Sequence, residues 1–383
     1  MSFNAVAVAQ TFAEEFSRRA PEMESVRRLP ADLAKKLADA GLFRMVLPAA
    51  LGGQDTPPAQ IALAIETLAQ ADASAAWCVM IGATMGAMAN RMSAGAAREV
   101  FGEPDVISAG VFAPMGRAVE DGDHWIVNGR WQWGSGSQNA AWIAGGAVLM
   151  GPDGPLTDDH GQPRHRMMIF PADQVELIDT WRTSGLCGTG SLDFQVKDAR
   201  VPKARSVALH ADPVTVDTPL ARFPVFGLLA MGVAGVALGN ARGALLAAGT
   251  AAQTRKASGS QRATAERNVV QADYARAVAK LSAARAHYFE TIGVLWAAVQ
   301  SGEAGTEPRN RLRLACAHAA ETAADVSKVA YDMMGGSAVY LDNDLQRRFR
   351  DANVITHHAM VSPAMYELTG RILLGLPTRT DQL

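Results

Sequence analysis

Trp131-Gln132-Trp133-Gly134-Ser135-Gly136-Ser137-Gln138-Asn139-Ala140-Ala141-Trp142, approached through Asp123-His124-Trp125-Ile126-Val127-Asn128-Gly129-Arg130, is the stretch whose reading decides the fold. The approach alternates apolar and polar residues, which is the signature of a half-buried strand, and the Gly and Ser positions after Trp133 interrupt it. Working outward from it, about Val106 to Pro202 carries short β-branched and aromatic runs: Val111–Ala113, His124–Val127, Met167–Phe170 and Phe194–Val196. Gly, Pro, Asp and Asn separate them, so this part reads as a β-sandwich or barrel, with the polar interval 151–165 as an exposed hairpin loop.

On either side the period changes to that of a helix. Leu33, Leu37 and Gly41-Leu42 close one amphipathic segment, and Ile61, Leu63, Ile65, Leu68 and Ala69 mark another. A third, apolar and rich in Ala, Gly and Met, spans about 74–92. After the β-region, helical patterns cover roughly 223–256, 263–300, 309–334 and 344–374, which predicts an antiparallel four-helix bundle. Small residues crowd Ala230 to Gly239 and allow a partner helix to approach closely. The expected division is a helical domain over 1–105, a β-domain over 106–212 and a bundle over 213–383.

Composition narrows the function. The chain has 383 residues, enough for two or three domains, and a formal net charge of −2 with 19% charged residues. That balance favours neither nucleic acid nor a membrane surface and leaves small molecules as the expected partners. Cys78, Cys187 and Cys316 lie too far apart for a disulfide framework or a zinc knuckle. Positions 1–15 lack a basic-then-apolar leader, so a cytoplasmic location is expected.

Helices, then a β-domain, then a bundle is an order that resembles the acyl-CoA dehydrogenase fold over nearly the whole chain, and individual residues carry the likeness. In that superfamily an Asn-Gly turn is followed five residues on by a Trp that flanks the flavin ring, and seven on by a Thr or Ser near the flavin N5. Asn128-Gly129, Trp133 and Ser135 stand at those spacings. Gly335-Gly336 and Arg350-Asp351 are similar to the family's Gly-Gly and Arg-Asp motifs. Arg255, four residues before Gly259, is similar to the Arg that meets a neighbouring subunit's cofactor, although Ser258 replaces the family's Phe.

Two departures redirect the expected chemistry. The dehydrogenases remove an α-proton with a Glu, and one of its places falls here on Ala359; the other falls near Val225, and Phe223–Asn240 contains no Asp or Glu. The compact Gly110–Ala118 segment has no CoA-binding Ser. Together with Ala71–Trp77, Gly185–Ser191 and His358, it resembles the two-component flavin-dependent monooxygenases of this fold, such as the hydroxyphenylacetate, steroid and dibenzothiophene oxygenase components. A His that this branch places beside the flavin would fall near Met85, and no His occurs between Met1 and Asp123.

The resemblance implies a homotetramer that takes reduced flavin, FAD or FMN, from a separate NAD(P)H:flavin reductase. With O2 it would form a C4a-(hydro)peroxyflavin and hydroxylate a small aromatic or heteroaromatic molecule, phenolic or indole-like. Ser135 is assigned to N5 and His358 to the oxygen adduct or substrate; Phe112, Trp133, Arg255, Gly335 and Gly336 are assigned to the cofactor, and Met85, Phe226, His357 and Met360 to the substrate. On a helix, His357 would point about 100° away from His358.

Plainer readings stand beside these. Trp133 and Ser135 alone would be a core aromatic and a turn hydroxyl; Gly335-Gly336 a helix stop; Arg347–Asp351 an ion-paired surface; Arg255 a solvated helix end; Met80–Met92 core. A dehydrogenase or oxidase acting on a non-CoA substrate, and a non-catalytic flavin- or ligand-binding homologue, are the competing functions.

Overall fold

The computed structural model describes residues 3–256 and 260–383. Ser258 and Gly259, part of the Arg255 motif, lie outside the described residues. Six helices come first: α1 (Ala5–Thr11), α2 (Ala13–Val26), α3 (Ala31–Asp39), α4 (Pro58–Ala71), α5 (Ala73–Met85) and α6 (Ala94–Phe101). Helix α5 begins where the Asp72 side chain accepts from the Ala75 N–H (2.9 Å), an N-cap that fixes Trp77 one turn on. Every residue of α5 is buried, including Met85 and its neighbour Met88 in the following 3-10 turn.

The strands are β1 (Ser108–Asp121), β2 (His124–Gly134), β3 (Trp142–Gly151), β4 (Gly154–Pro155), β5 (His165–Pro171), β6 (Glu176–Ile178), β7 (Leu192–Pro202) and β8 (Ser206–Val207). They form one sheet in the order β6-β7-β2-β1-β3-β5-β8, with β4 beside β3. The sheet curls on itself around Trp131: this fully buried indole of β2 stacks on Phe194 of β7 (5.0 Å) and reaches Phe170 of β5 (5.9 Å), although two strands separate β2 from β5. Its Nε1–H donates to the Gly146 carbonyl at 2.7 Å. Removing a buried aromatic of this size costs about 3–5 kcal/mol.

Asn128-Gly129 is not the turn its composition suggests. The β1–β2 hairpin closes over Asp121–His124, and Asn128-Gly129 lies inside β2 at a bulge against β7. There Asn128 bonds both the backbone N–H and the carboxylate of Asp198 (2.9 Å each), satisfying groups that the broken ladder leaves free.

The last part comprises α7 (Pro219–Arg222), α8 (Val225–Thr254), α9 (Asn268–Ser301), α10 (Thr306–Met334), α11 (Asp344–Ile355) and α12 (Ala364–Leu373). Helix α8 is long and apolar enough to cross a membrane, but 89% of its apolar window is buried inside the protein, so it is the core helix. Its small residues do what their pattern implies: a Cβ on Gly239 would stand 2.3 Å from the Glu66 carbonyl of α4. The expected fourth long helix is broken. Helix α11 stops at Ile355, turns of the i→i+3 kind run through His357 and His358, and Pro363 opens α12. His357 and His358 therefore sit in a turn and not on a helix.

Candidate functional site

Trp133 is 65% exposed and lies in a second bulge of β2, with φ at +69°. A bulky residue in the left-handed region carries a strain of about 1–3 kcal/mol, tolerated only where surrounding packing enforces it. The result is a flat indole held out from the sheet. Two residues on, the chain turns inward and Ser135 is 5% exposed.

Ser135 anchors a line of buried polar groups drawn from three segments. The Trp77 indole N–H of α5 donates to Ser135 Oγ at 3.0 Å. Ser135 Oγ lies 2.6 Å from Ser191 Oγ, and Ser191 Oγ 2.7 Å from Thr189 Oγ1. The Thr189 hydroxyl donates in turn to the Leu186 carbonyl at 2.8 Å. Leu186 (φ +50°) and Gly190 (φ +53°) fold this loop back so that its hydroxyls align.

Helix α11 holds the loop in place. Asp351 Oδ1 accepts the Leu186 N–H at 2.6 Å, and Gly185 packs so tightly on Arg350 that a Cβ would come within 2.6 Å of its carbonyl. Arg348, in turn, donates to the Ala71 carbonyl at 3.2 Å, while Asn240 of α8 donates to the Arg348 carbonyl at 2.8 Å. Arg348 and Asp351 are buried, so this motif ties the end of α4, helix α8 and the Gly185–Leu186 loop together and is not an exposed ion-paired face. Burial pushes the Asp351 carboxyl up to about 7, Asp72 adds to the shift, and the Leu186 N–H, Arg347 and Arg350 oppose it.

His358 completes this group. Its ring meets the Trp77 ring edge-on, 5.3 Å between centroids at 75°. Its Nδ1 lies 3.3 Å from the Met360 N–H. A backbone N–H only donates, so Nδ1 accepts and the neutral ring carries its proton on Nε2. Burial, and secondarily the Arg313 guanidinium, lower the imidazole to about 4. At neutral pH His358 is thus a neutral donor through Nε2–H. Arg313 is fully buried and, among the described residues, bonds neutral acceptors such as the Met360 carbonyl at 3.4 Å. Among the described residues no carboxylate forms an ion pair with His358.

The other expected residues fall into separate groups. Phe112 and Phe226 pair edge-on at 6.3 Å, and His210 lies 5.2 Å from Phe226. Burial lowers the His210 imidazole, helped by His165, Arg91 and Arg309; among the described residues neither arginine has an ion-pair partner. Arg255, at the C-terminus of α8, lies 3.9 Å from where a Cβ on Gly335 would stand, and Gly335 takes φ +53°, ψ −143°, a conformation for glycine. Gly336 faces open space. Met360 is half-buried and His357 is exposed. Met85 departs from its expected place: its side chain has no exposed surface and its methyl packs where a Cβ on Gly110 would be, so it belongs to the core.

These residues fit a flavin. Trp133 offers a flat face, Ser135 a buried hydroxyl, and the Arg255–Gly335 corner a cation beside open backbone. In the turn after Ser135, Ser137 Oγ and Gln138 Oε1 are buried without a hydrogen-bond partner. Sequence reasoning quoted Trp77, Thr189 and Ser191 within motifs but gave them no role, and it missed His210 and Arg313; the only available signal was that Trp77 and the Thr/Ser pair are polar groups in otherwise small or apolar runs.

The fold and this site define a class. Residues 5–99 match the acyl-CoA dehydrogenase N-terminal domain and residues 231–363 the acyl-CoA dehydrogenase C-terminal domain. The chain is 32% identical over 365 residues to an indole-3-acetate monooxygenase of Acinetobacter baumannii, covering 93% of this chain and 90% of that one. It is 28% identical to the oxygenase component of an FADH2-dependent resorcinol hydroxylase of a Rhizobium species, covering 95% and 92%. It superposes with a TM-score of 0.88 and 25% identity on XiaF from a Streptomyces species in complex with FADH2 and glycerol, over 97% of this chain and 95% of that one. The chain belongs to the flavin-dependent monooxygenases of the acyl-CoA dehydrogenase fold, and reduced flavin is its cofactor.

Proposed function

We propose that this protein is the oxygenase component of a two-component system that hydroxylates an aromatic or heteroaromatic small molecule, phenolic or indole-like, with a separate NAD(P)H:flavin reductase supplying reduced FAD or FMN. The observation that carries the reading is the buried Trp77–Ser135–Ser191–Thr189 line beside a neutral His358, in a chain with no carboxylate along Phe223–Asn240. Reduced flavin supplies the two electrons with which dioxygen gives one atom to the ring and the other to water.

The protein's own residues provide the setting. Trp133 would lie against the flavin ring and Ser135 at its N5 edge, with Arg255, Gly335 and Gly336 toward the rest of the cofactor. Trp77 holds the Ser135 oxygen by its N–H donation, so that oxygen is positioned before any ligand arrives. His358, neutral and donating through Nε2–H, offers a hydrogen bond to a developing oxyanion or to a phenolic or indolic substrate. Phe112 and Phe226 offer an edge-on aromatic pair to a flat ring, and His357 and Met360 adjoin His358. Buried Trp77, Met88 and Leu186 keep water away from this region.

A homotetramer in the cytoplasm fits the family. Val339, Tyr340 and Leu341 are 58%, 67% and 84% exposed, and Leu373 and Leu374 are 64% and 77% exposed, apolar side chains that a partner subunit would cover. Sedimentation velocity at micromolar concentration tests the assembly, a monomer being the contrary result. The function is tested by supplying chemically reduced FMN or FAD, air and a panel of phenols, indoles and thiophenes: a product heavier by one oxygen supports it, and hydrogen peroxide alone with every ring substrate speaks against it.

A further inference from the structure

We propose that Thr189 and Ser191 are positioning residues that set the direction of the Ser135 hydroxyl and thereby bias the site toward reduced over oxidised flavin. The inference rests on the placement of Ser135 at N5 proposed above.

A serine or threonine hydroxyl has one hydrogen to give and two lone pairs to accept with. Ser135 already accepts from Trp77, which cannot reverse because an indole N–H only donates. The remaining bonds have two consistent arrangements. In the inward one, Thr189 donates to the Leu186 carbonyl, Ser191 to Thr189, and Ser135 to Ser191. Ser135 then has no hydrogen to offer and one lone pair free. In the outward one, Thr189 donates to Ser191 and Ser191 to Ser135, and the Ser135 hydrogen points out of the chain.

The flavin's own chemistry separates the two. Reduced flavin carries a hydrogen on N5 and needs an acceptor there; oxidised flavin presents a bare N5 and needs a donor. The inward chain suits the reduced state and the outward chain the oxidised one. Ser135, Thr189 and Ser191 are 5%, 1% and 3% exposed, so water does not substitute for a missing partner. The inward arrangement contains one bond more, that from the Thr189 hydroxyl to Leu186. Its loss is tolerable, because the Leu186 carbonyl keeps the Trp181 indole N–H and the Thr189 backbone N–H, both at 3.1 Å. One neutral hydrogen bond therefore separates the arrangements, a bias of about two- to tenfold toward the inward chain.

Thr189→Val is the direct test, since it keeps the shape and removes the hydroxyl. Ser191 can then satisfy its hydrogen only on Ser135, which forces the outward chain. Kd is measured for oxidised FMN or FAD in air and for the dithionite-reduced flavin under nitrogen. Thr189→Val is expected to lower the oxidised-to-reduced Kd ratio about two- to tenfold relative to wild type, and Thr189→Ser is expected to restore it. Ser191→Ala, which leaves the Ser135 hydrogen without an inner acceptor, shifts the ratio the same way and serves if Thr189→Val does not fold. A ratio unchanged in Thr189→Val and Ser191→Ala, with both redox states still bound, overturns this inference and leaves the oxygenase reading intact. A wild-type protein that binds flavin in neither state overturns both.

Discussion

Replacing Asp351 by Asn should change how stability depends on pH, with a sign the structure dictates. Asp351 is 3% exposed and its carboxyl is pushed up to about 7, by burial first and by Asp72 second. In the unfolded chain an Asp titrates near ~4. Between those values the folded protein holds a proton that the unfolded chain has released. The stabilisation is complete below pH ~4 and is lost as pH rises through about 7. Each pH unit is worth about 1.4 kcal/mol, so the loss amounts to at most ~4 kcal/mol by pH 7. Asn keeps an oxygen for the Leu186 N–H, now at 2.6 Å, and cannot ionise. The variant should match or trail wild type at pH 4.5 and exceed it increasingly toward pH 8. Urea midpoints of both proteins at half-unit steps over that range provide the measurement. Parallel curves, offset by a constant, would show that Asp351 does not titrate there and would refute the reasoning.

Other expected outcomes follow from single contacts. His358, held to about 4, works in the opposite direction: its contribution is present above the unfolded value near ~6.5 and is lost as pH falls toward about 4. His358→Gln should therefore flatten the acid side of the stability curve, read by the same urea series, and should cut hydroxylation yield while sparing flavin binding, read by product mass and flavin titration. Because His358 is already neutral, the wild-type rate should show no ionisation limb between pH 6 and 8 that disappears in His358→Gln. Trp77→Phe removes the N–H donor to Ser135 and should raise the hydrogen peroxide formed per flavin oxidised several-fold, measured by a peroxidase-coupled assay. Gly239→Ala drives a methyl into the Glu66 carbonyl, 2.3 Å away, and should cost about 1–3 kcal/mol in a denaturant titration.

The alternation of helical and strand periods is enough to order the three regions, because each element buries one face and the spacing of apolar residues reports that face. Trp133 and Ser135 are singled out by the family spacing after Asn128-Gly129, although the Asn-Gly pair itself lies at a bulge that only its long-range bonds to Asp198 explain. Contacts between distant segments were not legible: nothing local in Trp77 points to Ser135, 58 residues away, or in Leu186 to Asp351, 165 residues away. The break after Ile355 carries no local signal, since the apolar period runs on both sides of it and Pro363 marks only the start of the next helix. Met85 has a pocket residue's chemistry, and only packing against Gly110 reveals it as core.

The most direct test of the oxygenase account is a single turnover under 18O2, with chemically reduced flavin, the protein and an indole or phenol, and no reductase or nicotinamide present. One 18O atom in the hydroxylated ring is the predicted result. Bleaching of protein-bound oxidised flavin by the same substrate under nitrogen, with no labelled product under 18O2, would contradict it and establish a dehydrogenase.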